Sequence, residues 1–244
     1  MNTLKEIVRR AKRIVFFGGA GVSTASGIPD FRSADGLYAG EYEGLTAEMI
    51  LSHSFFFLHP RQFYDFYRRE MLHPDAKPNA AHRALFRLER MGKLTGLVTQ
   101  NIDGLHRAAG NRLVYEIHGT IHENRCLDCG KLFGLDYILK TRDVPRCTDC
   151  GGPVKPCVTL YGEAPDPYAM TGACREIARC DMLIVAGTSL AVEPAASCLE
   201  YFRGKELVVI NREETPADSR ATLVLREDIG RALEEAVPEA GISA

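Results

Sequence analysis

Neither sign of charge dominates this chain. It carries 30 Lys and Arg against 32 Asp and Glu, a formal net charge of −2, with no basic tail and no block of like charge. That balance excludes a sequence-wide attraction to nucleic acid or to an anionic membrane, so partners have to be sought in local sites. Long apolar runs are missing as well: none approaches the roughly 20 residues of a membrane span. The opening MNTLKEIVRRAKR is amphipathic and charged, without the apolar centre of a signal peptide. These absences predict a cytoplasmic protein with no membrane partner and no direct nucleic-acid partner. Internal repeats and low-complexity tracts are also lacking, which argues against solenoid and disordered architectures. What remains is 244 residues with 45% apolar content, enough for one large domain or for a domain carrying a smaller inserted lobe.

The apolar residues follow two rhythms. Thr3 and Glu6 have capping-box spacing, and Leu4, Ile7, Val8 and Ala11 recur at helical intervals, predicting a helix over 3–12. Ile14-Val15-Phe16-Phe17 is an unbroken apolar run, the pattern of a parallel strand buried on both faces, and it stops at Gly18-Gly19-Ala20-Gly21. Similar runs at 97–99, 113–117, 183–186 and 207–210 end in Gln100-Asn101-Ile102-Asp103, His118-Gly119, Gly187-Thr188-Ser189 and Asn211. Helices are predicted over 79–91, capped by Asn79 and stopped by Gly92, and from about Pro194 to Gly204. This alternation places the chain in the α/β class, with a parallel sheet covered by helices on both faces.

Two segments break the rhythm. Residues 33–74 hold no convincing buried strand but a helical stripe of Phe63, Phe66, Tyr67 and Met71, and 120–160 is dominated by cysteine pairs, Gly and Pro. They are expected to form a small lobe of two insertions, 33–74 and 120–160, set on a larger lobe built from 1–32, 75–119 and 161–244. A cleft between two such lobes is a natural ligand site.

Of eight cysteines, four stand as C-x2-C-x17-C-x2-C: Cys126, Cys129, Cys147 and Cys150, each pair followed by glycine. Four thiolates complete a tetrahedral zinc shell and leave no position for water, so the ion would be structural. Free thiols or a redox pair are the rival readings, and a catalytic site on His118 and His122 lacks the expected glutamate, since Gly119 stands there. Cys157, Cys174, Cys180 and Cys198 are scattered through apolar surroundings, which suits a reducing compartment.

Gly19-x-Gly21 after a buried strand suits close approach to a pyrophosphate at the start of the next helix, although Thr24 replaces the third glycine of that fingerprint. Because ligands of open parallel sheets sit beyond the carboxyl ends of the strands, one mouth would be lined by Gly19, Gln100, Asp103, His118, Ser189 and Asn211. His118 ends a strand next to the cysteine segment and can act as a base near neutral pH, whereas His53, His59, His73 and His82 read as ordinary core or surface residues. The residues alone predict a nucleotide-binding enzyme with a histidine base and a structural zinc. A zinc-ribbon adaptor would leave the polar strand ends without a role, and a dehydrogenase would rest on fold alone.

Several long motifs in order resemble the sirtuins, the NAD-dependent protein lysine deacylases. They are Gly19-Ala-Gly-Val-Ser-Thr-Ala-Ser-Gly-Ile-Pro-Asp-Phe-Arg32, Thr99-Gln-Asn-Ile-Asp103, His118-Gly119, the two cysteine pairs, Gly187-Thr-Ser189 and Val209-Ile-Asn211. The resemblance spans nearly the whole chain. It implies a Rossmann-like NAD lobe, a small lobe of zinc ribbon plus helices, and acyl-lysine proteins or peptides as substrates. It further implies that NAD is consumed, with acyl oxygen attacking the nicotinamide ribose and nicotinamide leaving. His118 would be the general base, with Asn101 and Gln100 on the ribose side. Ala20, Thr24, Phe31 and Arg32 would line the NAD site, and Ile102 and Asp103 would hold the nicotinamide carboxamide. Thr188, Ser189, Asn211, Asp228 and Ile229 would hold the adenosine end, and Val158, Gly162 and Glu163 the peptide. An alternative local role for Asp30 and Arg32 is to pair with each other and hold their loop.

The chain departs from the sirtuin pattern at two places. Tyr161 stands where phenylalanine is usual in Val158-Thr-Leu-Tyr-Gly-Glu163. Sirtuins that prefer acidic acyl groups carry tyrosine followed three residues later by arginine, whereas here Tyr64 is followed at that spacing by Tyr67, with Arg68 one residue late. One residue turns a helical side chain by about 100°. Deacetylation is therefore expected over removal of succinyl or other longer or acidic groups, with mono-ADP-ribosyl transfer as the alternative use of the same activated ribose.

Overall fold

A computed structural model describes residues 3–33 and 36–237. Residues 1–2, 34–35 and 238–244, which the expected lobe boundaries include, lie outside the described residues. Along the described chain the strands are β1 (Ile14–Gly18), β2 (Glu41–Tyr42), β3 (Leu45–Thr46), β4 (Leu94–Thr99), β5 (Val114–Glu116), β6 (Gly119–Cys126), β7 (Leu132–Gly134), β8 (Val154–Val158), β9 (Met182–Ala186), β10 (Glu206–Ile210) and β11 (Leu223–Leu225).

Six of them form one sheet in the order β11-β10-β9-β1-β4-β5, and every neighbouring pair is parallel. Alternate side chains of a strand point to opposite faces, which explains why the central runs are apolar throughout. Ile14 and Phe16 enter one core with Leu4, Ile7, Leu85, Leu88 and Leu233. Val15 and Phe17 enter the other with Ala173, Ile177, Cys198 and Leu199. Helices Leu4–Arg10, Ala80–Arg90 and Ile229–Ala236 thus cover the first face. Helix Pro167–Arg179 and the 3₁₀ helix Ala196–Tyr201 cover the second. Each buried Phe of β1 contributes about 1.5–3 kcal/mol by leaving water. Thr3 and Glu6 make the expected capping box, and Asn79 accepts from the Ala81 and His82 N–H groups at its helix start.

The structure corrects the sequence reading in three places. The expected helix from Pro194 to Gly204 is only the 3₁₀ turn Ala196–Tyr201, because Phe202 leaves it in extended backbone to enter the second core. β11 is a sixth strand; its three residues are all partly exposed at the sheet edge and give no continuous buried run. Helix Pro167–Arg179 also went unforeseen, although Asp166 caps it by accepting from the Ala169 N–H at 2.7 Å and Pro167 opens it.

A third core lies apart from the parallel sheet. It joins Leu37, Ile50, Phe56, Phe63, Tyr64 and Tyr67 to Ile121, Ile138, Val154, Val158 and Leu160. The first group sits on short helices, including Pro60–Phe66, which continues as a wider π turn over Tyr67–Met71. The second sits around the antiparallel sheet β7-β6-β8. No helix among the described residues is long and apolar enough to cross a membrane.

The parallel sheet passes into this second sheet across His118-Gly119. Gly119 has φ +79° and pairs with Val158, and a Cβ there would lie 2.0 Å from the Cys157 carbonyl oxygen. Neither the left-handed backbone nor the space tolerates a side chain. Gly119→Ala is expected to lower stability by about 2–4 kcal/mol in urea unfolding; a change within 0.5 kcal/mol would show that this junction relaxes freely.

Candidate active site and metal centre

The chain runs from β1 to β4 and β5 on one side of the sheet, then returns to β9, β10 and β11 on the other. The loops after β1 and β9 therefore diverge, and the crevice between them is the topological switch point where open parallel sheets bind ligands. At that crevice the Gly21 N–H donates to the Gly187 carbonyl at 2.9 Å, and Gly19 N–H to Ala186 at 3.2 Å. A Cβ on Gly21 would lie 2.8 Å from Gly187 Cα, and one on Gly19 the same distance from the Gly187 oxygen. Gly19, expected at the mouth, is instead a backbone-packing residue outside the lining. The helix expected after the glycines is replaced by two 3₁₀ turns, Ala20–Val22 and Thr24–Ser26, with Thr24 Oγ1 donating to the Gly21 carbonyl at 3.1 Å.

A cleft of about 750 Å³ opens there. Ala20, Thr24, Phe31 and Arg32 line it from the β1 loop, and Gln100, Asn101, Ile102 and Asp103 from the β4 loop. Thr188, Ser189, Asn211, Asp228 and Ile229 form another stretch of wall, and His118 faces Val158, Gly162 and Glu163 along the remaining side. The structure therefore brings together every non-cysteine residue singled out from the sequence as a site candidate except Gly19, which packs behind the wall.

The β4 loop is held by a polar chain that the sequence reading missed at its centre. Ser23, 1% exposed, accepts from Asn101 Nδ2 at 3.0 Å and donates to Asp103 Oδ2 at 2.6 Å. Asp103 Oδ1 also accepts from the Leu105 N–H at 2.8 Å. Asn79 extends the scaffold by donating from Nδ2 to the Val22 carbonyl and to Ser26 Oγ. Ser23 lies inside the Gly19–Arg32 motif, so its position was the available signal. Gln100 Nε2 is buried without a partner, while Gln100 Oε1 accepts from Thr188 Oγ1 at 3.4 Å. An orphaned buried donor is costly unless a ligand acceptor meets it. Together with the side-chain-free backbone of Gly21 and Gly187 on the cleft wall, it fits an extended polar ligand such as a dinucleotide.

His118 Nδ1 lies 3.1 Å from the Gln100 carbonyl oxygen, which can only accept. Nδ1 therefore carries the proton and Nε2 is left as the basic nitrogen. Burial pushes the His118 pKa below the ordinary histidine value, against the opposing pull of the Gln100 carbonyl, so the ring is neutral at pH 7.

The opposite wall is held from behind. Glu163 accepts from the Leu160 N–H at 3.0 Å, Lys155 Nζ at 2.9 Å and His53 Nδ1 at 2.9 Å. Burial pushes its carboxyl up, but these three donors together hold it below the usual carboxylate range. Its charge is thus taken up inside the protein, and His53, read as ordinary, is one of its partners. Asp30 does not pair with the Arg32 side chain; its carboxylate accepts from the backbone N–H groups of Arg32 and Ser33. Tyr38 and Tyr161 join their hydroxyls across the cleft, with Arg32 over the Tyr38 ring. Tyr67 is buried against the cleft, whereas Arg68 turns away and donates to the carbonyls of Ile138 and Asp143.

Remote from this chemistry, the four cysteine sulfurs lie within 4.8 Å of one another. Cys126 and Cys150 are 3.5 Å apart, as are Cys129 and Cys147. The turns match: Gly130 N–H donates to Cys126 and Gly151 N–H to Cys147 at 3.0 and 2.9 Å. Four unbonded thiols converging with this spacing fit one tetrahedral zinc ion at about 2.3 Å from each. The ribbon anchors β6 and β8, and the site has no open coordination position.

A model of the Sir2 family matches residues 19–194. The NAD-dependent protein deacetylase of Clostridium perfringens (strain 13 / Type A) is 52% identical over 96% of both chains. A crystal structure of a Sir2 homologue with NAD superposes with TM-score 0.86 at 36% identity, covering 96% of this chain and 91% of that one. A complex of Sir2 with a p53 peptide and NAD+ gives 0.85 at 37% identity, covering 98% and 97%.

Two predictions follow from this geometry. Cys126→Ala is expected to reduce bound zinc from about one ion per chain to almost none, with loss of hydrogen-exchange protection in β6 and β8; full protection in a zinc-free variant would refute the metal's structural role. The second concerns buried histidines. Burial lowers His82 to about 4 despite Asp103, and, with help from His82, holds His106 well below its usual value. These groups bind protons more readily when unfolded, so their neutral burial is fully tolerated above pH 6.5 and stability is lost as pH falls from 6.5 towards 4. The melting temperature should decline across that window, and a flat profile would contradict neutral burial.

Proposed function

The chain belongs to the Sir2 family, and on that premise we propose that it removes acetyl groups from protein lysine side chains in an NAD-dependent reaction, releasing nicotinamide and O-acetyl-ADP-ribose. One observation carries this reading. A neutral histidine whose Nδ1 proton is tied to Gln100 presents its basic nitrogen to a cleft with a glycine-walled switch point on one side and the Val158–Glu163 segment on the other.

In this reading Ala20, Thr24, Phe31 and Arg32 hold the pyrophosphate and ribose region, with Phe31 shielding the reacting sugar from water. Thr188, Ser189, Asn211, Asp228 and Ile229 hold the adenosine end. Gln100 and Asn101 orient the ribose, Ile102 and Asp103 receive the carboxamide, and Ser23 keeps Asn101 and Asp103 in register. His118 Nε2 takes the proton from a ribose hydroxyl as that oxygen attacks. Positioning and exclusion of water supply most of the acceleration, because a developing ribosyl cation needs an oriented attacker more than a strong acid. Val158 and Gly162 meet the peptide, while Glu163 sets the shape of their segment through its three internal partners. Residues 33–74 and 120–160 serve as the lobe that brings this wall against the NAD lobe, with the zinc ribbon as its brace. A four-cysteine metal cluster and four further unpaired cysteines in apolar surroundings support a reducing, cytoplasmic setting.

Acyl choice follows from the helix that carries Tyr64. Its hydroxyl donates to the Val154 carbonyl and Arg68, over the Tyr64 ring, is bound to main-chain oxygens elsewhere, so neither residue lines the cleft. With NAD and a panel of acyl-peptides, nicotinamide release is expected with acetyl-lysine, strongly reduced with succinyl-lysine, and absent without an acyl group. His118→Ala should lower turnover by about 100-fold or more while NAD still binds. Acyl-independent transfer of ADP-ribose to protein would instead support the transferase reading, and normal turnover of the variant would remove His118 as the base.

A further inference from the structure

Four cysteines lie outside the zinc cluster, and two of them meet. Cys174 on helix Pro167–Arg179 and Cys198 on the 3₁₀ helix Ala196–Tyr201 bring their sulfurs to 3.1 Å across the second core. Cys198 is 0% exposed and Cys174 is half-buried, reachable from solvent. Cys180 donates instead to the Ile177 carbonyl. We propose that Cys174 and Cys198 are a reversible modification site, a dithiol that a low-molecular-weight disulfide converts to an intramolecular disulfide in the folded protein. The inference is independent of the acyl-lysine reading.

The geometry is close to that of the product. A disulfide has its sulfurs about 2.05 Å apart, and here the two sulfurs already stand in contact at 3.1 Å. The exposures set the order of steps. The Cys174 thiolate attacks one sulfur of the small disulfide, forming a mixed disulfide and expelling one small thiolate. Cys198 then attacks the Cys174 sulfur, expelling the second small thiolate, which takes up the proton Cys198 gives up. Two protein thiols are oxidised and one small disulfide is reduced to two thiols. Burial and the Cys174 neighbour push the Cys198 thiol well above its ordinary value, so it stays protonated until an electrophilic sulfur stands beside it.

The consequence lies in what the bond would tie. Helix Pro167–Arg179 follows the segment that lines the cleft through Pro165, and the 3₁₀ helix follows the segment that lines it through Pro194. A bond from Cys174 to Cys198 closes a 24-residue separation behind the cleft and removes freedom from the unfolded chain.

The test uses zinc-loaded full-length protein titrated with oxidised glutathione, with zinc content followed so that the ribbon thiols are monitored separately. Tandem mass spectrometry should find Cys174 joined to Cys198 while zinc is retained, reversed by dithiothreitol, with a rise in melting temperature of about 5 °C or more. Cys174→Ser should abolish the cross-link and the rise, whereas Cys198→Ser should trap glutathione on Cys174. Glutathione remaining on Cys174 of the unsubstituted protein, or a cross-link forming only in urea, would overturn the proposal.

Discussion

The backbone of Gly21 lies directly on that of Gly187, and the cleft depends on this contact. A side chain at either position would push apart the loops that leave β1 and β9, the two central strands of the sheet. Holding them together at the switch point has two effects: it fixes where the crevice lies, and it leaves a surface without side chains against which an extended polar ligand can lie. Thr188, next to Gly187, then reaches Gln100 on the far side, so the β9 and β4 loops are coupled through one side-chain contact.

The second lobe is placed by a different device. His118 belongs to the cleft, and the next residue already belongs to β6, so this histidine and the metal ribbon are separated by a single left-handed peptide unit. β6 and β8 carry cysteines or lead to them at one end, while at the other the Thr159 N–H donates to the His118 carbonyl. The four sulfurs brace the far end of the sheet whose near end carries the Val158–Glu163 wall. This is how an ion with no open coordination position contributes to chemistry that it does not touch.

Much of this was legible in the sequence. The buried parallel strands announce themselves as unbroken apolar runs because both faces of the sheet are covered, and their polar ends mark the ligand side. The cysteine spacing specifies a tetrahedral donor set without any fold. The resemblance to the sirtuins then supplied assignments that patterning could not, among them Asp228 and Ile229 far from the other motifs. The failures have physical causes. β11 is half exposed and has no buried run; the 3₁₀ turns after β1 carry the glycine signature of a helix start without its hydrogen bonds. Glu163, expected at the peptide, has Lys155, His53 and the Leu160 amide around its carboxylate, partners that the sequence does not show. Ser23 was hidden for the converse reason: its value lies in joining two side chains about 80 residues away.

The triple hold on Glu163 bears on the thermodynamics of encounter. Because the Tyr161 N–H donates to Leu51, His53 N–H to Tyr161 and Thr159 N–H to His118, the segment from Val158 to Glu163 is ordered before anything arrives. An extended partner chain laid along it loses its own conformational freedom but does not also have to freeze the wall, a saving of about 0.5–1.5 kcal/mol for each side chain already fixed. Association then resembles docking onto a template, in which the ordering cost falls on the visitor alone. Segments that are already extended and unstructured in their parent protein would be favoured over those that must first be unwound.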